Sequence, residues 1–335
     1  MGAAFFTTLG TPRIPDFSRC LFCVKNILNL RLLILEFIFA TYFSVMNRTI
    51  LIHTVSRLYW FKLVCDNRNI PQACGKKNTI NFEFDRKIKH EHLEAYHIVL
   101  LSCLIEELKL KGYMICIMAS EDMKNFLLSD VNVKAYWGKK HLSHVDSPDI
   151  HRFNLWRINE QDKDSYATSV NRYFSNHFRG KDVSFIATAL NELYYNVFDH
   201  AKANGNSFSY IHYDENKRRI YVAVCDFGIG VAKTLQDKYP DKYNDDKEAL
   251  EAAIQVGVTS GSTLRNRGLG LDNICSSLEK TDSFRLISNK AFLYIYNNEV
   301  KTFNLKDLHF NGTLIYFDFC TDNFEDTEIM DSFSL

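Results

Sequence analysis

From Thr79 onward, hydrophobic and polar positions follow a regular pattern. Alternation over residues 80–84 predicts a strand, and apolar positions at helical spacing predict a helix over about residues 92–111 that stops at Gly112. The apolar run at 113–120 predicts a buried strand, and the following EDMKNFLLSDV predicts a helix. Strand, helix, strand and helix in this order indicate a small α/β unit with a parallel sheet.

A second unit is predicted from residue 165. It opens with helices over about 165–178 and 181–202, followed by strands at 208–214 and 219–226 that a tight turn connects. The basic cluster Lys217-Arg218-Arg219 is interpreted as part of this hairpin turn rather than as a binding patch. After a long polar segment come a helix starting near Gly268 and three strands, at 284–288, 291–297 and 313–319. Helices in one block and an antiparallel sheet in another indicate an α+β sandwich. Residues 138–165 are polar and have the character of a linker, with a short strand at FNLWRI.

The first 75 residues have no regular pattern. Residues 30–46, LRLLILEFIFATYFSVM, are very apolar but include Arg31 and Glu36. Their uninterrupted apolar part is shorter than the roughly 20 residues that a membrane span needs, and it starts too late for a signal peptide, so we expect no membrane span. Three interpretations stay open: a buried or interfacial helix, a marginal anchor, or an extension upstream of a protein that starts near Met46. The first and third are favoured.

Composition indicates a globular protein of about two domains, since the chain has 335 residues, 46% of them hydrophobic and 24% charged. Forty basic side chains balance forty acidic ones. Nucleic acid is therefore not indicated as a partner, because binding its phosphate backbone needs a basic face and none stands out in the sequence. The nine cysteines are scattered, and Cys103, Cys116 and Cys225 lie in apolar runs. We expect reduced, buried thiols and a cytoplasmic location.

One predicted helix carries a polar stripe within an apolar stretch. In NELYYNVFDHA, positions four apart lie on one face of a helix, and these positions hold Glu192, Asn196 and His200. The apolar stripe that would pack on a sheet consists of Ile186, Leu190, Leu193 and Val197. By itself, the polar stripe is equally consistent with an ordinary solvated face.

Three glycine-containing stretches accompany this helix. CDFGIG at 225–230 follows a strand directly and places Asp226 before Gly228 and Gly230, which permit tight turns and close ligand approach. RNRGLGLDNI at 265–274 puts glycines before an apolar helix, where free N–H groups favour phosphate. It is not the lysine-bearing phosphate loop. NGTLIYFDF at 311–319 opens a late strand. Each stretch alone is weak evidence for a binding site, because Asp and Gly are common in turns.

Taken together, in this order and spacing, the four stretches resemble the Bergerat-type ATP-binding domain of the GHKL, or histidine kinase-like ATPase (HATPase), superfamily. The spelling ELYYNVFDHA is closest to the branch that holds the anti-sigma-factor serine kinases. The upstream α/β unit resembles a STAS-type domain at the level of pattern. The implied organisation is an N-terminal extension (1–75), a STAS-like domain (76–140), a linker (141–164), the ATP-binding domain (165–321) and a tail (322–335).

The resemblance implies ATP and Mg²⁺ as cofactors. Glu192 would be the catalytic base, Asn196 would hold Mg²⁺, and Asp226 would accept a hydrogen bond from the adenine amino group. His200 would either touch phosphate or cap the helix face. The implied ATP-binding set is Asn196, His200, Asp226, Gly228, Gly230, Arg267, Gly268, Leu269, Gly270, Leu271 and Thr313. Residues 231–267 would form a polar lid over the nucleotide.

Several functions fit this resemblance. The chain could transfer the ATP γ-phosphate to a protein serine or threonine, or hydrolyse ATP slowly to switch a regulatory protein partner. It could also be a non-catalytic ATP-gated interaction module, or an atypical histidine kinase without a recognisable phosphoacceptor box. Related domains often dimerise, so a homodimer stays open. We expect His90, His92 and His97 to be surface residues at a helix start rather than metal ligands.

Overall fold

Two β-sheets and their helices make up the described part of the chain. The computed structural model describes residues 47–73, 78–137, 142, 144–159, 162–184, 186, 188–191, 193–194, 206–255 and 270–326. The smaller sheet has the strand order β1 (Asn47–Ile52), β2 (Thr79–Phe84), β3 (Met114–Met118). Strands β2 and β3 are parallel, which confirms the pairing that the pattern predicts. The helices of this N-terminal layer are α1 (Arg57–Arg68), α2 (Ala95–Leu110) and α3 (Glu121–Asn125), the last continued by a π turn over Phe126–Asp130.

The larger sheet has seven strands in the order β4-β5-β6-β10-β7-β8-β9, and every neighbouring pair is antiparallel. Its strands are β4 (Arg152–Arg157), β5 (Ser207–Asp214), β6 (Arg219–Asp226), β7 (Ser283–Asn289), β8 (Ala291–Tyr296), β9 (Glu299–Asn304) and β10 (Phe310–Cys320). The last strand, β10, lies between β6 and β7, so residues distant in sequence meet in the middle of the sheet. The parallel pair in one sheet and the antiparallel pairs in the other confirm the α+β class.

Helices cover one face of the seven-stranded sheet. They are α4 (Lys163–His177), the helical residues at 184, 186, 188–191, 193 and 194 (α5), α6 (Val231–Lys238), α7 (Asp246–Ala253) and α8 (Gly270–Ser276). Side chains of these helices share one core with the sheet, among them Phe174 of α4 with Val222 and Phe317. The apolar stripe predicted for α5 is buried at Ile186, Leu190 and Leu193; Val197 lies outside the described residues.

Helix α2 is enclosed between the two sheets. Thirteen of its sixteen residues are buried, which is more than a helix with one solvated face would allow. One side of α2 contacts β5 and β6, and another contacts β3 and α1. The helix ends where the sequence predicts, because Gly112 takes a φ of +89° and its N–H donates to the Lys109 carbonyl oxygen. The described residues from Thr49 onward belong to one compact unit, within which the expected boundaries at 76, 141, 165 and 322 stay predictions.

Strand β3 differs from the predicted buried strand. Met114 and Met118 are 52% and 44% exposed, and Cys116, which we expect to be buried, is exposed as well. These three residues alternate with Ile115 and Ile117, which are more buried. Helix α2 packs against the smaller sheet, but the outward face of its edge strand β3 meets solvent.

His97 is also corrected, because it is fully buried in α2 rather than at the surface. Its Nδ1 accepts a hydrogen bond from the Glu94 N–H at 2.8 Å, and its Nε2 donates to the Val55 carbonyl oxygen at 3.1 Å. Burial lowers the pKa of His97 to about 3, so the imidazole is neutral. It therefore links α2 to the segment before α1.

The segment expected to be a polar lid contains two packed helices in its described part. Leu235 of α6 and Leu250 of α7 are buried in the core beneath the sheet's helical face. Asp245 caps α7, with its Oδ1 accepting a hydrogen bond from the Glu248 N–H at 2.9 Å. Residues 256–267 of this segment lie outside the described residues, as do residues 30–46. Among the residues that are described, no helix is both long enough and apolar enough to cross a membrane.

A buried ion pair joins α2 to β4. Arg157 Nη1 and Nη2 donate to the two carboxylate oxygens of Glu106 at 2.9 and 3.1 Å, and the side chains are 4% and 6% exposed. Arg157 also donates to the Tyr136 carbonyl oxygen at 3.1 Å. Since α2 belongs to the N-terminal layer and β4 to the larger sheet, this pair connects the two parts of the core.

Removing one member of this pair should destabilise the protein. Arg157→Met leaves the Glu106 carboxylate buried without its guanidinium, a change that costs on the order of 3–5 kcal/mol. The double variant Arg157→Met/Glu106→Gln removes both charges and should recover part of the loss in urea denaturation. Lys124→Met, which breaks an exposed pair with Glu121, is the control and should cost less than about 1 kcal/mol. Equal losses in the single and double variants would contradict this account.

Candidate functional site

Asp226, the last residue of β6, is buried at the centre of the candidate site and is only 1% exposed. Its Oδ1 accepts a hydrogen bond from the Gly228 N–H at 2.8 Å, and the Thr313 side chain also hydrogen-bonds the carboxylate. Thr313 stands directly opposite Asp226 in the β6–β10 ladder. The register of the sheet therefore joins residues that come from two separate sequence motifs.

Two glycines allow the backbone segments of the site to pass close to each other. Gly312 has a φ of +123°, and a Cβ there would lie 2.1 Å from the Asp226 carbonyl oxygen. Gly230 has a φ of +87°, and a Cβ there would lie 2.4 Å from Asn289 Oδ1 and 2.8 Å from the Gly312 carbonyl oxygen. A side chain cannot be placed at either position without moving its neighbours, so glycine is required by both backbone conformation and space.

The loop that links β6 to α6 is held by side chains from two other strands. Thr313 Oγ1 accepts a hydrogen bond from the Val231 N–H at 3.2 Å. Asn289 Nδ2 donates to the Ile229 carbonyl oxygen at 3.0 Å, and its Oδ1 accepts from the Lys233 N–H at 3.2 Å. These bonds fix the loop against β10 and β7 at the point where α6 begins.

The environment of Asp226 makes its carboxylate a strong acceptor. Burial raises the pKa of Asp226 from 3.8 to about 6, while hydrogen bonds from Gly228 and Thr313 and the nearby charge of Arg68 lower it. At neutral pH the side chain is thus ionised in surroundings that disfavour the charge. A ligand N–H group that donates a hydrogen bond to this carboxylate would offset part of the free energy that burial of the charge costs. A buried carboxylate with a shifted pKa in such a place marks a candidate binding site.

The structure brings four of the predicted site residues together, namely Asp226, Gly228, Gly230 and Thr313. Gly270 begins α8, and Leu271 is buried in the core beneath the sheet. The other predicted residues lie outside the described part of the chain: Glu192, Asn196, His200, Arg267, Gly268 and Leu269. Their roles, including Mg²⁺ coordination by Asn196, stay predictions.

Two residues of this region have no place in the sequence motifs. Asn289 has a φ of +53°, a conformation that asparagine tolerates better than most residues. An asparagine in a tight connection between two predicted strands is the signal that could have identified it. The Arg68 guanidinium carbon lies 3.9 Å from the centre of the Phe227 ring. No local pattern relates residue 68 to residue 227, so this contact is visible only in three dimensions.

A comparison with models of known protein families gives no match for this chain, and neither does a comparison with curated protein sequences.

The close approach at Gly312 can be tested with a matched pair of variants. Gly180 also has a positive φ, of +78°, but no described atom lies within 4 Å of a Cβ placed there. Gly180→Ala should therefore lower the free energy of unfolding by only about 1–2 kcal/mol, from the left-handed backbone conformation alone. Gly312→Ala should cost clearly more in urea denaturation, because the added methyl group must displace the Asp226 backbone. Similar losses for the two variants would mean that the packing at Gly312 is not essential.

Removing the buried charge should change stability in a pH-dependent way. Because the folded-state pKa of Asp226 is raised to about 6, the wild type gains stability from its protonated carboxyl below about pH 4 and loses it as pH rises through about 6. The melting temperature of Asp226→Asn relative to wild type should therefore increase between pH 4 and pH 7.5.

Asp182→Asn provides a control of opposite sign. Hydrogen bonds from Ser184 lower the pKa of Asp182, so the stability that this carboxylate contributes is present at neutral pH and lost in acid. The melting temperature of Asp182→Asn should thus fall relative to that of the wild type as pH rises from 3 to 7. A pH-independent difference between Asp226→Asn and wild type would contradict the buried, ionised carboxylate.

Proposed function

We propose that this chain is a Mg-ATP-binding regulatory protein of the histidine kinase-like ATPase superfamily. Its activity would be transfer of the ATP γ-phosphate to a protein serine or threonine, or slow ATP hydrolysis that switches a partner. The observation that carries the proposal is the buried Asp226 carboxylate at the end of β6, beside two glycines where a Cβ would collide with the backbone.

The chemistry of Asp226 suits adenine. An ionised carboxylate only accepts hydrogen bonds, and the exocyclic amino group of adenine donates them, whereas guanine has a carbonyl oxygen at the same position. A hydrogen bond from the adenine amino group would offset the desolvation that raises the pKa of the Asp226 carboxyl. Guanine would instead place an oxygen against a buried negative charge. The site would therefore favour ATP over GTP.

The arrangement of sheet and helices also supports the proposal. An antiparallel sheet with helices packed on one face agrees with the α/β sandwich that the resemblance implies. The loop from Asp226 to Gly230 joins a strand to a helix, and functional residues of many proteins lie on such loops, where a rigid scaffold positions them. Thr313 supports this loop from β10 through its bond to the Val231 N–H.

The reaction assigned to the site depends on residues identified from sequence alone. Glu192 would accept the proton of the attacking hydroxyl group or water. Asn196 would supply a side-chain oxygen to Mg²⁺, which prefers oxygen ligands and retains several waters. Backbone N–H groups of residues 268–271 would face the phosphates. The choice between kinase and ATPase therefore needs a direct measurement of where the phosphate goes.

The fate of the γ-phosphate separates the functions. Purified wild type incubated with γ-labelled ATP and Mg²⁺ should release the label from ATP, and Glu192→Ala should lose this turnover while keeping ATP affinity. Free labelled phosphate would identify an ATPase, label on a protein serine or threonine a kinase, and label on histidine the atypical histidine kinase. Label that stays on ATP in both proteins would favour the non-catalytic ATP-gated module.

Asp226→Asn completes the same experiment as a binding control. Replacing the carboxylate by an amide removes the charged acceptor for the adenine amino group, so ATP binding measured by calorimetry should weaken by about tenfold or more, equivalent to about 1.4 kcal/mol. Wild-type affinity in this variant would rule out the adenine contact assigned to Asp226.

A further inference from the structure

Arg68 of α1 reaches both backbone segments of the candidate site from the N-terminal layer. Its Nη2 donates to the Phe227 carbonyl oxygen at 3.2 Å, and its Nη1 donates to the Asn311 carbonyl oxygen. The guanidinium also lies over the Phe227 ring. Phe227 directly follows Asp226, and Asn311 directly precedes Gly312. One side chain thus connects the two strand ends whose close approach forms the site.

A second series of contacts connects the same residues through α2. The Phe227 N–H donates to the Asn206 carbonyl oxygen at 3.1 Å, and Asn206 Nδ2 lies 3.4 Å from the Glu107 carboxylate. Lys111 Nζ pairs with Glu107 at 3.3 Å and donates to the Arg68 carbonyl oxygen. The contacts form a closed ring that includes α1, α2 and the loop after β6.

The chemistry of arginine explains why this closed series of contacts can control the geometry of the site. A guanidinium group presents several N–H donors in a rigid plane, so it can hold two acceptors at a fixed separation and stack on an aromatic face at the same time. Here the two acceptors are the carbonyl groups of Phe227 and Asn311. A displacement of α1 relative to the larger sheet would therefore change the distance between the loop after β6 and the start of β10.

We propose that Arg68 is a positioning residue through which the N-terminal layer sets the nucleotide affinity of the Asp226 site. The proposal rests on the ATP-binding function proposed above and names its regulation. Coupling between two sites is reciprocal. A partner that binds the N-terminal layer and stabilises α1 would tighten ATP binding, and bound ATP would in turn stabilise the contacts of α1.

Three variants of the full chain test this proposal. Arg68→Met keeps an apolar side chain but removes both hydrogen bonds and the charge, and Arg68→Lys keeps a charge that can bond one carbonyl group well. Lys62→Met, at an exposed position of the same helix, is the matched control. With Mg-ATP in calorimetry, we expect about a tenfold weaker affinity for Arg68→Met, equivalent to about 1.4 kcal/mol. Arg68→Lys should be intermediate and Lys62→Met unchanged.

Hydrogen exchange without nucleotide gives a readout that does not depend on ATP binding. Amides of residues 227–231 and 311–313 should exchange faster in Arg68→Met than in Lys62→Met, with Arg68→Lys between them, while the interior of α4 stays protected in all three. When ATP is then added to the wild type, exchange in α1 should slow, because coupling between the two sites is reciprocal. Unchanged exchange at both segments in Arg68→Met would overturn the positioning role.

The same measurements separate failure of this proposal from failure of the proposed function. If the wild type does not bind ATP, the ATP-binding function and the regulation based on it are both wrong. If the wild type binds ATP and Arg68→Met binds it equally well, only the role of Arg68 is wrong. Should Arg68→Met fail to fold, Arg68→Lys decides by the same criteria, because it retains the charge and most of the side-chain volume.

Discussion

Burial of helix α2 on opposite sides is the constraint on which the rest of the structure depends. The three-stranded sheet and the seven-stranded sheet each have an apolar face, and α2 is covered by both. Polar groups on such a helix must find partners inside the protein, since an unpaired buried polar group is costly. Glu106 meets Arg157 of β4, and His97 bonds the Val55 carbonyl oxygen. These contacts connect α2 to its surroundings and fix its position.

The candidate site lies where this layered core meets the ends of β6 and β10. Asp226 carries a charge that burial disfavours, and Arg68 from the N-terminal layer is one of the groups that lower its pKa. Gly312 and Gly230 permit the tight backbone contacts, while Thr313 and Asn289 supply the side-chain bonds that fix the loop. The properties of the carboxylate therefore depend on both the larger sheet and the layer behind it.

Local pattern predicts much of this fold, because alternation and helical spacing depend on neighbouring residues. The strands around Asp226 and Thr313 follow it closely. The pattern fails where burial depends on distant contacts. Strand β9, which the sequence pattern does not predict, carries exposed Val300 and Phe303 and shows no alternation of burial. Helix α6, in the segment expected to be a polar lid, buries only a narrow apolar face around Leu235. Asp226, Gly228, Gly230 and Thr313 were identifiable from motifs, whereas Arg68 required the packing of α1.

The two-sided burial of α2 also limits how the chain can be shortened or recombined. A fragment that begins after residue 141 would uncover the side of β5, β6 and β10 that carries Phe208, Tyr210 and Tyr316. Large exposed apolar patches of this kind promote aggregation. A fragment for crystallisation or a gene fusion therefore has to retain α1 and α2 together with the seven-stranded sheet. Evolutionary exchange of either part alone would meet the same obstacle, so the two parts are expected to be inherited as one piece.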